Sequence, residues 1–117
     1  MSRNRIAVVI GVLVVFVIVG GILIYAKRGG GQDVPFNVTV TGGKTMSPSD
    51  LPAHQNDTVT INVISDTDGE LHLHGYDMVF TAKKAQTVSQ TFKADKTGNF
   101  EIEWESTSTK LGRLAVT

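Results

Sequence analysis

The sequence predicts a single small all-β domain, a β-sandwich, preceded by one N-terminal transmembrane helix. Two observations predict this class. Residues 6–25 form an apolar run without a charged side chain, and apolar and polar residues then alternate with a period of two along much of the chain from residue 33 onward. No window of that second region shows helical periodicity of useful length. The 117 residues suffice for one such domain.

The apolar run has the length and the flanking residues of a membrane anchor. As a helix with ~1.5 Å rise per residue it spans about 30 Å, the thickness of a bilayer core. Tyr25 ends the run, Lys27 and Arg28 follow it, and these residue types are common at the membrane interface. A cleaved signal peptide has a shorter apolar core and a small-residue cleavage site after it, which this segment lacks. We therefore expect residues 6–25 to be an uncleaved signal-anchor in the lipid bilayer.

Basic residues flank both ends of the run, so the positive-inside rule scarcely fixes its orientation. A short basic tail before a first apolar run usually remains inside the cell. This predicts residues 1–5 as a short cytoplasmic tail, 26–34 as a Gly-rich tether and 35–117 as the β-sandwich domain. The chain is then a single-pass protein of the cell membrane with its domain on the extracytoplasmic side, which is the periplasmic side in a bacterium.

Charge and composition exclude several classes of function. From Asp33 onward the chain has seven basic and eleven acidic residues, so this region is mildly acidic and lacks the clustered Lys and Arg that bind nucleic acid. There is no cysteine, which excludes disulfides, thiolate catalysis and thiolate metal ligation. The sequence also has no nucleophile-elbow motif, phosphate loop or paired catalytic carboxylates. We therefore expect that the protein is not an enzyme.

Short alternating segments follow one another through the domain. They are residues 36–41, 58–63, 71–74, 87–92, 100–104 and 114–116. The turn signals that separate them are Gly42-Gly43, Ser47-Pro48, Asp68-Gly69 and the Asp-Lys-Thr-Gly sequence at 95–98. Short strands at even spacing, each with one apolar face, predict a sandwich or barrel of about seven strands.

Three segments stand in a characteristic order: NDTVTINV at 56–63, HLHGY at 72–76, and FKADKTGNFEIE at 92–103 with GRLAV at 112–116 after it. Together they resemble the cupredoxin family, a Greek-key β-sandwich whose best-known members carry copper. The first is similar to the family's G-D-x-V strand, with Asn56 in the Gly position. The second is similar to its H-G-F/Y segment, whose His, here His74, is a copper ligand in domains such as that of cytochrome oxidase subunit II. The resemblance implies a cupredoxin-like fold.

The loop before the last strand departs from the family pattern. Blue copper members carry Cys, His and Met ligands there, whereas alignment on Gly98 and Gly112 places Trp104 at the cysteine position. Only Ser, Thr and Lys lie between Glu105 and Leu111. A type 1 or thiolate-bridged copper site needs a thiolate, so neither can form. We expect Trp104 to occupy an inward core position.

His72 and His74 are the candidate metal ligands. Residues two apart on a strand share a face at about 7 Å between Cα atoms, so the two imidazoles can converge on one ion. Imidazole suits Cu(II) and Zn(II), and a nearby thioether favours Cu(I), so we expect a copper ion. The candidate third ligands are Met78, Asp77, His54 and Met46. The alternative is that the histidines are ordinary polar residues on a solvated face, with Met78 in the core.

Glu101, Glu103 and Glu105 form an acidic stripe on one face of a predicted strand. It could contact a basic partner, together with Tyr76, or supply a hard metal ligand; the simpler interpretation is a solvated face that discourages edge pairing. The leading hypothesis is a copper-handling domain, or an accessory to a membrane copper or respiratory protein. The alternative is a metal-free interaction module, an accessory subunit of a membrane complex.

Overall fold

The structure is a computed structural model, and it describes residues 31–117. These residues form nine β-strands and one 3-10 turn, Glu105–Thr107. The strands are β1 (Asp33–Thr41), β2 (Thr45–Ser47), β3 (Asp50–Ala53), β4 (Thr58–Ser65), β5 (Gly69–Leu73), β6 (Met78–Ala82), β7 (Thr87–Lys93), β8 (Gly98–Trp104) and β9 (Thr109–Val116). The described part of the chain is therefore all-β, as the alternation predicts.

The strands form two sheets that enclose one core. The four-stranded sheet has the order β2-β1-β4-β7, and the five-stranded sheet has the order β3-β9-β8-β5-β6. Most neighbouring strands are antiparallel, but β1 pairs with β4, and β3 with β9, in parallel. Consecutive strands repeatedly lie in different sheets, so the chain crosses between the layers along its length, as in Greek-key sandwiches.

The core between the sheets is built by the predicted alternation. In β4, Val59, Ile61 and Val63 are buried while the residues between them face outward. Burial of each side chain of this size contributes about 1.5–3 kcal/mol. Trp104, at the end of β8, is only 4% exposed, which confirms its predicted inward position.

The sequence pattern does not predict three of the strands, and its number of about seven is too low. β2 and β3 have three and four residues, too few for an alternating pattern to stand out. β3 also contains Pro52, which an edge strand tolerates. In β6 only Thr81 is polar, so alternation is masked there. Because β8 is the central strand of its sheet, the acidic stripe does not protect an edge, contrary to the simpler interpretation of it.

The outer faces of the two sheets differ in charge. The outward residues of β1, β2, β4 and β7 are Thr, Ser, Asn, Pro and Ile, apart from Asp33 and Lys93 in one row at the end of the face. Neutral side chains bond one another here; the Asn62 amide, for example, donates to Asn37 Oδ1 at 3.1 Å. The outer face of the five-stranded sheet instead carries Glu101 and Glu103 of the acidic stripe, together with His72 and His74. Glu105, the third residue of the stripe, is predicted on the strand but lies in the 3-10 turn that follows β8.

Asp57 fixes the N-terminal end of the domain. Its side chain is fully buried, and its two oxygens accept hydrogen bonds from the backbone N–H groups of Gln32 (3.0 Å) and His54 (2.8 Å). Asn56, at the family's Gly position, has a φ of 74°, a left-handed conformation that Asn adopts more readily than most residues. The chain is therefore held from Gln32 onward, and β1 begins at Asp33, just before the predicted start of the domain.

The predicted tail (1–5), the predicted span (6–25) and the tether up to residue 30 lie outside the described residues. Among residues 31–117, no helix is long and apolar enough to cross a bilayer. The membrane anchor and the orientation of the chain therefore stay predictions.

Candidate metal centre

β5 directs His72 and His74 to the outer face of the five-stranded sheet. Leu71 and Leu73, which alternate with them, are each 1% exposed and point into the core, so the two histidines point outward. Their imidazole rings lie 4.2 Å apart between centroids, with an angle of 35° between the ring planes. The alternation in the sequence predicts this shared face.

The central strand β8 brings a carboxylate to the same place. β5 and β8 pair so that His72 stands opposite Glu103, and Glu103 Oε1 lies 2.7 Å from His74 Nε2. One ligand atom from each of His72, His74 and Glu103 lies within 4.8 Å of the others. Three groups at this spacing can hold one metal ion. Within residues 31–117, no other group of three His, Asp or Glu side chains has this spacing.

The sequence assigns Glu103 to the acidic stripe and does not connect it with the histidine pair. The sequence does predict that the Glu103 side chain faces outward, because Glu103 alternates with Ile102 and Trp104, which are buried. What the sequence lacks is a sign that β8, and not another strand, lies beside β5. The sequence therefore predicts that a residue of the acidic stripe could be a metal ligand, but not that this residue is Glu103 or that it joins the histidine pair.

The two other carboxylates of the acidic stripe border the group. Glu101 Oε1 lies 3.9 Å from His74 Nε2, and Glu105 Oε2 lies 3.1 Å from His72 Nδ1. The second contact lacks the alignment of a hydrogen bond, and His72 Nδ1 is shielded from solvent without a hydrogen-bond partner. Leaving a buried polar nitrogen unsatisfied costs about 1–3 kcal/mol. A cation bound between the imidazoles and the carboxylates would give His72 Nδ1 a partner.

The acidic surroundings raise the pKa of His74 above its ordinary value. The hydrogen bond with Glu103 is the main cause; partial desolvation opposes the rise, and the negative charges of Glu103, Glu101 and Glu105 add to it. The side chain of His74 is 42% exposed, so solvent screens these interactions. The group therefore attracts positive charge, and a proton competes with a metal ion for the imidazole.

The other predicted ligands lie away from this group. Met78 occupies the side of β6 that faces the core, and Met46 is 6% exposed within the core itself. Asp77 is exposed in the turn between β5 and β6. His54 follows β3 at one edge of the five-stranded sheet, and β9 and β8 separate that strand from β5. The structure therefore groups the histidine pair with Glu103 and with neither His54 nor Asp77, while the two methionines pack in or against the core.

Tyr76 lies beyond the histidines in the turn after β5. Its ring packs against Phe92 and Phe100, with centroids 5.1 and 4.9 Å away. Its hydroxyl donates to the carbonyl of Lys96 (2.9 Å) and accepts from the N–H of the same residue (3.1 Å). Burial raises the pKa of Tyr76. These contacts join two turns of the domain, and a contact of Tyr76 with a partner protein stays a prediction.

The donor atoms define what the group can do. Two imidazole nitrogens and a carboxylate oxygen suit Cu(II) or Zn(II), whereas sulfur ligands favour Cu(I). The sequence has no cysteine, and Met46 and Met78 face the core. The His72, His74 and Glu103 side chains are half-buried on an open sheet face, so water or a fourth side chain can complete the coordination. The group therefore offers three ligand atoms to an ion but, without a thiolate, cannot form type 1 copper.

Fold and site together define a cupredoxin-like domain with a candidate histidine–carboxylate metal centre. No family model matches the chain, and no curated protein sequence matches it. Solved structures do match. A chain of a heme-copper terminal oxidase dimer is 11% identical, with a TM-score of 0.66 over 98% of this chain and 99% of that chain.

Two further solved structures are smaller copper proteins. A copper-binding protein in its apo form is 12% identical, with a TM-score of 0.63 over 78% of this chain and 93% of that chain. The metal-binding domain of the Cu(I)-exporting P-type ATPase of Streptococcus pneumoniae D39, determined with Cu(I), is 13% identical, with a TM-score of 0.65 over 78% of this chain and 91% of that chain. At these identities the likeness shows the fold, and the predicted cupredoxin-like fold is confirmed.

Proposed function

We propose that the domain binds one copper ion, as Cu(II), through His72, His74 and Glu103. The observation that carries this proposal is the convergence of their three ligand atoms within 4.8 Å on one sheet face. Nδ1 of His72 supports it, because this nitrogen makes no hydrogen bond although the Glu105 carboxylate lies 3.1 Å away, and a histidine ligand needs a ring nitrogen that is not engaged in a hydrogen bond.

Copper is favoured over zinc by two considerations, although the donor atoms suit both ions. For a given set of nitrogen and oxygen ligands, affinity is highest for Cu(II) in the series of divalent first-row metals. The fold is also shared with a copper-binding protein and with a domain determined with Cu(I). The missing sulfur ligand favours Cu(II) over Cu(I) at this particular site.

We further propose that residues 6–25 anchor the domain on the extracytoplasmic side of the cell membrane. The uncharged apolar run supports the anchor. The domain would then handle copper, or serve as an accessory to a membrane copper or respiratory protein; the likeness to a chain of a heme-copper terminal oxidase supports such a role. Lacking a thiolate ligand, the protein is suited to carry or sense copper and not to catalyse a reaction or transfer electrons rapidly.

The test is calorimetric titration of Cu(II), of Zn(II) and, without oxygen, of Cu(I) into the whole 117-residue chain in detergent micelles. We expect one Cu(II) per chain, weaker binding of Cu(I), and loss of Cu(II) binding in the His72→Ala/His74→Ala variant. His54→Ala is the matched control, because His54 lies outside the group. Equal loss of binding in the control and the double variant would overturn the proposed site.

A metal-free interaction module is the second candidate function. The observation that favours it is the 2.7 Å hydrogen bond between His74 and Glu103, which satisfies both groups without a metal. The acidic stripe and Tyr76 would then contact a basic partner within a membrane complex. In that case His72→Ala/His74→Ala leaves the size of the complex in native membrane extracts unchanged, whereas neutralising the acidic stripe reduces it.

A further inference from the structure

The proposed centre supplies three ligands, while Cu(II) with nitrogen and oxygen donors typically adopts a tetragonal site with at least four. We propose that Glu101 is the fourth ligand, and that Lys110 binds its carboxylate until the metal arrives. This inference rests on the proposed copper site. It adds Glu101 as a further ligand and Lys110 as a cation that competes with the metal ion for the Glu101 carboxylate.

Two carboxylates converge on one nitrogen of the site, Nε2 of His74. Glu103 Oε1 lies 2.7 Å from it and Glu101 Oε1 lies 3.9 Å from it. Both glutamates lie on the outer face of β8, two positions apart. The backbone N–H of His74 also donates to the carbonyl of Glu101 at 2.9 Å, so the main chain holds the two residues side by side. A side-chain rotation therefore suffices to bring the Glu101 carboxylate to an ion bound at Nε2.

The other oxygen of Glu101 belongs to an ion pair with Lys110. Glu101 Oε2 lies 3.2 Å from Lys110 Nζ, and the two side chains are 38% and 71% exposed. Exposed pairs of this kind are weak, so a divalent cation can replace the ammonium group as the partner of Glu101. With Glu101 added, two imidazoles and two carboxylates balance the charge of Cu(II).

The shape of β9 gives Lys110 room to move. The register between β8 and β9 shifts between Ile102 and Glu103, which leaves Leu111 as an extra residue on β9. Such bulges re-aim side chains and often lie beside functional sites. A groove of about 390 Å³ opens here, bordered by Glu101 and Lys110, on the side of Glu101 away from the histidines. Lys110 can turn into this groove when Glu101 turns towards the metal.

The experiment measures Cu(II) affinity of the whole chain in micelles at about 0.15 M salt, where long-range fields are screened. Glu101→Gln is expected to weaken binding by about 10- to 100-fold. Lys110→Met, which frees the carboxylate, is expected to tighten binding about two- to fivefold. Glu70→Gln makes the same charge change as Glu101→Gln on the same sheet face outside the ligand group, and it is expected to leave the affinity unchanged. Lys44→Met, an exposed lysine between β1 and β2 of the other sheet, is the matched control for Lys110→Met and is expected to have no effect either.

The double variant Glu101→Gln/Lys110→Met separates a direct effect from a general electrostatic one. If Lys110 acts only by occupying Glu101, its removal gains nothing once Glu101 is neutralised. A gain that persists in the double variant, or a loss in Glu105→Gln instead of Glu101→Gln, would overturn the inference while leaving the histidine site standing. If the unaltered chain binds no Cu(II), the proposed function itself fails.

Discussion

Removing the carboxylate of Asp57 is expected to destabilise the domain far more than removing an exposed acidic side chain. Asp57 is fully buried between the start of β1 and the loop before β4. Its two oxygens accept backbone hydrogen bonds from Gln32 and from His54. Asp57→Ala removes this acceptor from both N–H groups, which belong to half-buried residues that water reaches only in part.

The magnitude follows from these two bonds. A hydrogen bond to a charged group contributes about 1.5–3 kcal/mol, so the loss of two amounts to about 3–6 kcal/mol. The lower half of that range is expected, because water can replace part of what the half-buried Gln32 and His54 lose. For a small domain, about 1 kcal/mol corresponds to a Tm shift of roughly 4–8 °C. Asp57→Asn is expected to be nearly as damaging, since its amide NH₂ would face one of the N–H donors.

The assay is urea unfolding of the whole chain in micelles, followed by the fluorescence of Trp104, the one tryptophan of the chain. The matched control is Asp66→Ala, because Asp66 accepts a single backbone hydrogen bond, from Gly42, on the exposed surface. That loss is expected to cost about 1 kcal/mol or less. If the two alanine variants proved equally stable, the argument that the buried carboxylate secures the N-terminal end would be refuted.

The candidate metal centre, the turn beside it and Met78 give three further expectations. Because Glu103 raises the folded-state pKa of His74 above its unfolded value of about 6.5, the stabilisation from this pair is complete below about pH 6.5 and is lost as the pH rises through the folded-state pKa. Proton NMR of the imidazole should show a lower His74 pKa in Glu103→Gln, and Cu(II) affinity of the unaltered chain should fall as the pH drops below the raised pKa. Gly75→Ala is expected to lower the free energy of unfolding by about 1–3 kcal/mol, because φ is 84° there and an added Cβ would meet the Phe100 ring. Met78→Leu is expected to cost less than about 1.5 kcal/mol and to leave the calorimetric Cu(II) affinity unchanged; a weaker affinity would place the thioether among the ligands.

Local alternation in the sequence is enough to predict β4, β5 and β8 and the shared face of His72 and His74. Side-chain direction on a strand depends only on position along that strand, so a few residues suffice to determine it. The third residue of the candidate centre, Glu103, cannot be predicted in this way. Glu103 stands 29 residues from His74 and reaches it only because β8 pairs with β5, which depends on the topology of the whole sandwich.

Met78 is the opposite case, a residue that is near the histidines in sequence but does not join them in the structure. Its closeness to the histidines in sequence makes it a natural candidate ligand, but β6 turns back along β5 in a register that places Met78 opposite Leu73. Both side chains therefore face the core. A shift of one residue in the turn would have placed the thioether on the face of the histidines, and the sequence pattern of so short a strand does not reveal that register.

The unequal charge of the two outer faces makes the sandwich electrically one-sided. A cation that diffuses towards the molecule is attracted by the acidic stripe and hardly at all by the face rich in Thr and Asn, so its capture rate should fall as salt is added. A neighbouring molecule can cover the neutral face without stripping water from ions, which would be costly. If a neighbouring molecule covers the neutral face, the acidic stripe and the histidine pair stay open to solvent and to cations.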